Sequence, residues 1–386
     1  MLVRSKLTDD PHIDLIHGAQ VIYRVLDAFG REVIDRAGLQ YLYYPSSISL
    51  VRHEWFQSAD IVQLYNLHGG YFSYRSLPAL SRRRPIVWRL SDMWPLTGHC
   101  SYSYDCTRWQ TGCGSCPYLD VYPALSWDST ALLWRVKQIV YRRSRLVIVT
   151  TNRWMDGIVK NSPLLGHFPR HIIPNGVNAN IFRPISRASA CEVLGLDAES
   201  DIILFTAQVA KEGTRKGGEF AIPVLEQVAT NHPRPITLVV MGEGADGWPD
   251  GNGYRTHRLG YTHSDQLLAA VYAAADVTIF PALAENLPNV ILESMSSGTP
   301  AVAFDVGGVS DVVRHMETGY LARYRDLDDL ISGTAQLLND KDLRARLSAS
   351  SRDLITNEYS DDLQVSRFVN LYESILDAGI GIPRDS

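Results

Sequence analysis

The chain has 386 residues, a length that makes two domains the natural expectation. Hydrophobic residues make up 45% of it and charged residues 20%, which is the balance of a soluble globular protein. No apolar run is long enough to span a membrane, and the opening segment MLVRSKLTDD lacks the apolar core of a secretory signal. We therefore expect a cytoplasmic protein.

The net charge of −5 is unevenly distributed along the chain. Residues 1–170 hold 20 Lys and Arg against 13 Asp and Glu, a balance of +7, whereas residues 171–386 hold 17 against 29, a balance of −12. This change of sign favours a domain boundary near residue 170. The basic half could contact anionic lipid headgroups or an anionic acceptor, or it could carry ordinary solvated charge. We expect no nucleic-acid partner.

The first half of the chain alternates short apolar runs with loops. Leu2 to Arg4 predicts a short strand, and Ala59 to Leu67 (ADIVQLYNL) predicts a buried one. His68 follows the second strand directly, before two glycines. It is therefore a candidate contact for an acceptor at a cleft, with a hydrogen-bonded structural histidine as the alternative.

Pro85 to Leu90 (PIVWRL) predicts the next strand, which ends at Ser91 and Asp92. A carboxylate at the carboxyl end of a strand could accept the proton of a reacting hydroxyl group. Asp92 could instead cap the following turn. It is our candidate catalytic base in this half of the chain.

Four of the five cysteines lie within 17 positions in the pattern C-x5-C-x6-C-x2-C: Cys100, Cys106, Cys113 and Cys116. Zinc prefers four thiolates in a tetrahedron, and C-x2-C supplies two of them from one turn. Two disulfides or four unliganded cysteines are the alternatives, although a reducing cytosol disfavours disulfides. His99 is an alternative fourth zinc ligand or a second candidate cleft residue.

The second half opens with a predicted parallel strand at Ile202 to Thr206. The loop after it contains Arg215 and Lys216 directly before two glycines, and a helix is predicted from about Glu219. Taken alone, the two basic residues could form a solvated turn. Further strands are predicted at Ile236 to Met241 and at His257 to Gly260, with a helix at Leu267 to Ala275.

The most informative stretch is Phe280 to Val313, FPALAENLPNVILESMSSGTPAVAFDVGGVSDVV. It predicts the end of a buried strand, a loop, a helix with Pro288 at its first position, a second strand at Ala301 to Phe304, a Gly-Gly turn and a helix over Val309 to His315. Gly298 suits the left-handed position after the first helix. In a parallel sheet, loops of this kind lie at the carboxyl ends of strands, where ligands bind.

Two glutamates, Glu285 and Glu293, lie eight residues apart in this stretch, one in the loop and one in the helix. The helix N-terminus favours a phosphate. Carboxylates beside a phosphate repel it, so they are better suited to accept hydrogen bonds from sugar or ribose hydroxyl groups. Two isolated surface glutamates would explain the pair as well, but the Asn-Leu-Pro and Gly-Gly segments around them favour a nucleotide-sugar site.

This stretch resembles the E-x7-E motif of retaining glycosyltransferases of family four, which have the GT-B fold. The resemblance implies that Glu285 is a catalytic residue that contacts the donor sugar. It also implies that Glu293 contacts the ribose and that the N–H groups near Asn286 and Leu287 bind the diphosphate. It also implies that Lys216, with Arg215, binds the diphosphate. Relatives often carry an Arg six residues before this Lys, where this chain has Ala210 beside Lys211.

Two features depart from the family pattern. The first strand, glycine-rich turn and helix of the family are not recognisable before Leu2, and Ser91 stands where relatives commonly carry a His next to Asp92.

The block from Thr97 to Pro117 resembles a cysteine-rich insert of a subgroup linked to exopolysaccharide assembly. The segment Asn-Gly-Val at 175–177 resembles the interdomain linker of the family.

The resemblance implies an α/β protein of two Rossmann-like domains with parallel sheets facing a central cleft. We expect an acceptor-side domain at 1–174, a nucleotide-sugar-binding domain at 175–359, and a C-terminal helix within 360–386 that crosses back to the first domain. The implied function is transfer of a sugar from a UDP- or GDP-linked donor to a glycan or lipid-linked acceptor, with no cofactor required and any zinc structural. A catalytically impaired nucleotide-sugar-binding protein and a sugar-nucleotide epimerase are the alternatives.

Overall fold

The computed structural model describes residues 1–3, 9–16, 21–206 and 215–379. The chain divides into two compact units. The first contains the residues up to Ile173 and those from Phe368 onward, and the second contains Pro174–Arg367. Each unit is built around its own parallel sheet.

The first unit has a four-stranded parallel sheet and a separate parallel pair of very short strands. The sheet order is β3-β4-β5-β6, and β1 pairs with β2. The strands are β1 (Leu2–Val3), β2 (Asp14–Leu15), β3 (Val62–Leu64), β4 (Ile86–Arg89), β5 (Leu146–Thr150) and β6 (Arg170–Ile172). All residues of β4 and β5 are buried, as expected for central strands covered on both faces.

Helices and turns of the first unit connect these strands. They are α1 (Val21–Phe29), which continues into a π-helical turn (Gly30–Asp35), α2 (Pro45–Ser49), α3 (Glu54–Ser58), α4 (Leu77–Ser81), α5 (Thr130–Arg142) and α6 (Arg153–Lys160), with 3-10 turns at Leu50–Arg52, Tyr74–Ser76, Trp94–Leu96 and Arg108–Gln110. Asn152 caps α6 by accepting a hydrogen bond from the Met155 N–H at 2.7 Å. The helices and turns bury one large core with many aromatic side chains, among them Tyr74, Trp88 and Trp94.

The second unit has a six-stranded parallel sheet in the order β12-β11-β10-β7-β8-β9. Its strands are β7 (Asp201–Thr206), β8 (Ile236–Met241), β9 (Tyr254–Leu259), β10 (Val277–Phe280), β11 (Ala301–Phe304) and β12 (Gly319–Ala322). Its helices are α7 (Arg187–Leu194), α8 (Gly218–Asn231), α9 (Asp265–Ala274), α10 (Asn289–Ser296), α11 (Leu327–Asn339) and α12 (Lys341–Glu358), with 3-10 turns at Ala245–Gly247 and Val309–Asp311. The last helix, α13 (Asp361–Asp377), begins in this unit and continues into the first from Phe368.

The strand order of this second sheet reverses between β7 and β10. From β7 the chain adds β8 and β9 on one side, and then returns to add β10, β11 and β12 on the other. In such sheets ligands bind at the carboxyl ends of the strands where the direction of winding changes. The carboxyl ends of β7 and β10 therefore lie at the expected binding position of this unit.

The last helix, α13, supplies side chains to the core of the first unit. Phe368, Leu371 and Ile375 pack with valines of β4 and β5 and with Ile173. Burial of such aromatic and aliphatic side chains contributes roughly 1.5–3 kcal/mol each. The apolar face of α13 is therefore sufficient to hold its second half against this sheet.

The stretch around β10 and β11 follows the sequence expectation, with two corrections. Helix α10 begins at Asn289, and Pro288 is its N-cap with extended backbone rather than its first helical residue. Gly298 has the predicted positive φ, +87°. The helix predicted over Val309 to His315 is wrong, because only a 3-10 turn at Val309–Asp311 forms. The Thr318 hydroxyl donates to Val312 O at 2.7 Å and accepts from the Arg314 N–H at 2.9 Å, which turns the chain before a helix can continue.

The described part of the chain contains no helix that is both long and apolar enough to cross a membrane. The predicted α/β class with parallel sheets is confirmed by the two sheets.

Candidate functional site

Three loops meet at the carboxyl end of the second sheet. The Leu283 N–H donates to Arg215 O at 2.8 Å, which ties the loop after β10 to the segment before α8. The Gly308 N–H donates to Asn286 O at 3.0 Å, which ties the loop after β11 to the same loop. The loop that carries Glu285 is thus held on both sides by backbone hydrogen bonds.

Two glycines allow this close approach. A Cβ atom at Gly217 would lie 1.8 Å from Pro281 O, and one at Gly307 would lie 1.8 Å from Glu285 O. Both residues also have positive φ, +66° and +59°, a conformation that disfavours other residues. Only glycine fits at these two positions without moving the Glu285 loop.

Glu285 is bound by the two basic residues that the sequence singled out. Its Oε2 accepts from Arg215 Nη1 at 2.6 Å and from Lys216 Nζ at 2.9 Å. The Glu285 side chain is only 9% exposed, so this is a largely desolvated, charge-assisted contact. Arg215 also donates to Ala284 O at 3.0 Å, which fixes the position of its guanidinium group.

The protonation state of Glu285 follows from these partners. Burial would raise the pKa of its carboxyl group, but the charges of Lys216 and Arg215 and their hydrogen bonds hold that pKa below its ordinary value. Glu285 is therefore ionised at neutral pH. Its other oxygen, Oε1, accepts from the Asn286 N–H at 3.2 Å.

The structure brings together four groups that the sequence placed in one candidate site: Arg215, Lys216, Glu285 and the Asn286 N–H. The predicted neighbour Leu287 is buried, and its carbonyl accepts from Asn175 Nδ2 at 3.2 Å. Ala210 and Lys211, which correspond to another position of the family pattern, lie outside the described residues.

Glu293 has a different environment on α10. Its Oε2 accepts a hydrogen bond of 2.7 Å from the Tyr272 hydroxyl on α9. Burial raises the pKa of Glu293 to about 7, the Tyr272 hydrogen bond opposes this rise, and Asp265 adds to it. Near neutral pH this carboxyl group therefore exchanges between its protonated and ionised forms.

Tyr272 is a partner of the candidate residue Glu293 that sequence reasoning missed. It is 21 positions from Glu293 and lies in an ordinary apolar helix, so no local pattern pointed to it. Its ring is buried and its hydroxyl reaches the carboxylate.

The first unit contains a second polar cluster, formed by His68 and Asp92. His68 Nε2 lies 3.3 Å from Asp92 Oδ2, and both side chains are largely buried. The Trp94 N–H donates to Asp92 Oδ1 at 2.9 Å, so Asp92 caps the following turn and holds His68 at the same time. The imidazole also stacks on the Trp94 ring at a centroid distance of 5.4 Å. Sequence reasoning identified both residues but not their contact.

The His68 imidazole favours its neutral form. Burial lowers its pKa, Asp92 opposes this effect, and the charge of Lys137 strengthens it. Lys137 is buried and donates to Trp94 O at 2.5 Å and to Thr97 O at 2.9 Å. His68 also lines a cavity of about 720 Å³ whose other walls are mostly apolar.

The four clustered cysteines are free thiols that line one small cavity of about 20 Å³, together with His99. The Gly98 N–H donates to Cys113 Sγ at 3.2 Å. His99 is buried, with Nδ1 2.9 Å from Pro123 O and Nε2 3.4 Å from Cys116 Sγ. Both ring nitrogens are therefore engaged inside the protein, and a contact of His99 with an acceptor stays a prediction.

Within the described ranges, no three or more His, Cys, Asp or Glu side chains are arranged to hold a metal ion. Burial raises the pKa of Cys100 to about 12 and that of Cys113 to about 11, so these groups are protonated thiols in this arrangement. Zinc binding would need the thiols to deprotonate and approach one another. The zinc site stays a prediction.

Residues 200–340 match the family model described as Glycosyl transferases group 1. The matched segment contains β7 to β12 and the whole Arg215–Lys216–Glu285 cluster.

Curated proteins that are similar in sequence are also named as glycosyltransferases. A D-inositol 3-phosphate glycosyltransferase from Thermobispora bispora is 31% identical over 196 residues, which is 47% of this chain and 45% of that protein. An uncharacterized glycosyltransferase from Methanocaldococcus jannaschii is 25% identical over 185 residues, 47% of this chain and 46% of that protein. The chain thus spans about half the length of the curated relatives it matches.

Solved structures share the fold across most of the chain. Sucrose-phosphate synthase from Thermosynechococcus elongatus aligns with a TM-score of 0.66 and 18% identity, covering 97% of this chain and 83% of the other. Anabaena HepE in complex with UDP aligns with a TM-score of 0.60 and 16% identity, covering 86% and 82%. The predicted GT-B type fold with two Rossmann-like domains is confirmed.

Proposed function

We propose that this protein is a glycosyltransferase that moves a sugar from a nucleotide-sugar donor to an acceptor hydroxyl group, with retention of configuration. One observation carries the proposal: Glu285 is fixed between Arg215 and Lys216 at the point where the second sheet reverses its strand order. This is the expected ligand position of a Rossmann-like unit. The same segment matches the group 1 glycosyltransferase family.

In this proposal the second unit binds the donor. Arg215, Lys216 and the N–H groups near Asn286 and Leu287 stabilise the diphosphate, which leaves with an additional negative charge, through preorganised charges and dipoles. Glu285 accepts hydrogen bonds from the donor sugar. Glu293, oriented by Tyr272, accepts one from a ribose hydroxyl group.

The transfer step breaks the bond between the anomeric carbon and a diphosphate oxygen. The acceptor oxygen forms the new bond to that carbon, and the acceptor hydroxyl loses its proton. We assign Asp92 as the base for that proton, with His68 as its partner in the first unit. The reaction is balanced without a cofactor.

The donor and acceptor classes are also proposals. HepE was solved with UDP and with UDP-glucose, which makes a UDP-linked sugar the first donor to test, before a GDP-linked one. The mostly apolar cavity beside His68 supports a lipid-linked glycan acceptor. The basic balance of residues 1–170 supports peripheral contact with an anionic membrane surface.

A second candidate is a binding protein that holds the donor without turnover, favoured by Ser91 next to Asp92 in place of a histidine. Turnover separates the two. UDP- and GDP-linked sugars are incubated with the protein and an extract of lipid-linked glycans. NMR follows the release of nucleoside diphosphate and the anomeric configuration of the product. Release of the diphosphate with retention supports the transferase, whereas tight binding of a donor with no release in any condition supports the binding protein.

A further inference from the structure

The groups predicted to bind a diphosphate hold a carboxylate of the protein itself. Arg215 Nη1, Lys216 Nζ and the Asn286 N–H all donate to the two oxygens of Glu285. Arg215 Nη1, which also donates to Ala284 O, and the Asn286 N–H have each given all their hydrogens, so a diphosphate that uses these two donors must displace Glu285. The Glu285 carboxylate therefore competes with the ligand for the same hydrogen bonds.

Displacement of Glu285 has a physical cost that depends on the ligand. The carboxylate is 9% exposed, so water can replace its lost partners only to a small extent. An ionised buried group that loses its hydrogen-bond partners is strongly unfavourable. A second anion nearby adds repulsion. A ligand that carries hydrogen-bond donors of its own can reduce this cost, and a ligand without them cannot.

We propose that Glu285 makes the site select intact nucleotide sugars over bare diphosphates, by exchanging its bonds to Arg215 and Lys216 for bonds from the donor sugar. The inference rests on the proposed function of this site. An intact donor supplies both halves of the exchange: its diphosphate takes the two cations, and its sugar hydroxyl groups bind the released carboxylate. A nucleoside diphosphate supplies only the first half.

The exchange has a consequence for the reaction cycle. After transfer the sugar is gone, and Glu285 has no hydroxyl partner. It then returns to Arg215 and Lys216 and displaces the diphosphate product. The protein therefore contains its own means of releasing product.

The decisive probe is inorganic pyrophosphate, which has neither base nor sugar, titrated without divalent cations into the full chain by calorimetry. We expect Glu285→Gln to bind pyrophosphate about tenfold more tightly than the wild type, because the competing charge is gone while both cations remain. Glu358→Gln is the matched control. It removes one carboxylate from the Arg314 ion pair of the same unit and is expected to leave pyrophosphate affinity unchanged.

The nucleotide sugar gives the opposite response. Glu285→Gln is expected to lose affinity for the intact donor and gain affinity for the corresponding nucleoside diphosphate, so the preference for the donor falls at least about tenfold. If Glu285→Gln lacks a cooperative unfolding transition, Glu285→Asp replaces it. That variant keeps the charge but is one methylene too short to hold both cations, and pyrophosphate affinity should again rise.

An unchanged or weakened affinity for pyrophosphate in the folded variants would overturn the exchange. If the wild type meanwhile binds a nucleotide sugar, the proposed donor site stands and only the exchange is wrong. If the wild type binds no nucleotide sugar at all, the proposed function and the exchange are both wrong.

Discussion

Glu285 and Glu293 lie on one loop-helix segment, yet their carboxyl groups have opposite surroundings. Glu285 has two cations and is held ionised. Glu293 has the neutral Tyr272 hydroxyl as its hydrogen-bond partner, and burial raises its pKa to about 7. The ribose role proposed for Glu293 is therefore the one that should respond to pH in the neutral range.

The Glu293 carboxyl group should make folding stability depend on pH. Its pKa is about 7 in the folded protein and 4.5 when unperturbed, so the folded state binds this proton more tightly than the unfolded state. The stability that the carboxyl group contributes below pH 4.5 is therefore lost as pH rises to about 7. Glu293→Gln removes this dependence. We expect the variant to gain up to about 3 kcal/mol over the wild type at pH 8, at 1.36 kcal/mol per pKa unit, and nothing at pH 4.5.

Urea unfolding at several pH values measures this difference. Glu358→Gln, which alters a half-exposed carboxyl group in an ion pair of the same unit, is measured alongside as the control. If Glu293→Gln changed the free energy of unfolding by the same amount at pH 4.5 and pH 8, the raised pKa of Glu293 would be contradicted.

At the residue scale, the sequence singled out candidate side chains but not how they are paired. Glu285, Lys216 and Glu293 could be placed because their types and spacing resemble a family motif. The contact of Glu285 with Lys216 joins residues 69 positions apart, and the contact of Glu293 with Tyr272 joins two helices. Such contacts follow from the order of strands in the sheet, which local patterns do not encode.

At the scale of elements, glycines control how closely the loops approach one another. Gly217 and Gly307 touch the backbone of the β10 loop at distances that exclude a Cβ atom. The position of Arg215 and Lys216 relative to Glu285 therefore depends on Gly217, a residue without a side chain.

Substitution of Gly217 should damage both stability and binding. We expect Gly217→Ala to lower the free energy of unfolding by more than about 2 kcal/mol, since it combines a positive φ with a backbone clash, and to weaken nucleotide binding. Gly195→Ala is the matched control, because Gly195 has nearly the same φ, +65°, with nothing within 4 Å of its Cβ position. The control should cost only about 1 kcal/mol. Equal losses in both variants would show that the close approach is unimportant.

The cysteine-rich segment is the element whose chemistry stays a prediction. We expect protein purified under reducing conditions to contain about one zinc per chain, measured by atomic emission. Cys113→Ser should lower the zinc content, whereas Cys191→Ser, at a buried cysteine of the second unit, should not. Absence of zinc in the wild type would contradict the prediction and leave the four thiols as packing groups.

Several elements could be predicted from the sequence because their apolar runs are continuous. The strands at Ile236–Met241 and Ala301–Phe304 have the predicted bounds. The strand predicted over residues 59–67 shortens to Val62–Leu64, and Asn66 after it has a φ of +25°, which an extended strand does not allow. The failed helix at 309–315 contains several β-branched valines, whose stiff side chains lower helix propensity.

At the scale of the whole molecule, the two halves of the chain carry net charges of opposite sign. The first 170 residues are basic and the remainder acidic. The α/β class and the two Rossmann-like domains were predictable through the resemblance of the E-x7-E stretch to a GT-B family, and the alternating buried strands and helices agree with it. The base, the sugar and the acceptor are not encoded in local patterns, since they depend on the shape of loops.

Thermal unfolding with a ligand panel tests the central claim, that the second unit binds a nucleotide sugar. The full chain is heated with UDP, GDP and ADP, with their sugar conjugates, and with uridine, guanosine and adenosine as controls that lack the diphosphate. A ligand at 100 times its dissociation constant adds about 2.7 kcal/mol to stability. We predict that the sugar conjugate of one base raises the unfolding temperature most, its diphosphate less and its nucleoside least. No shift with any nucleotide would contradict the account.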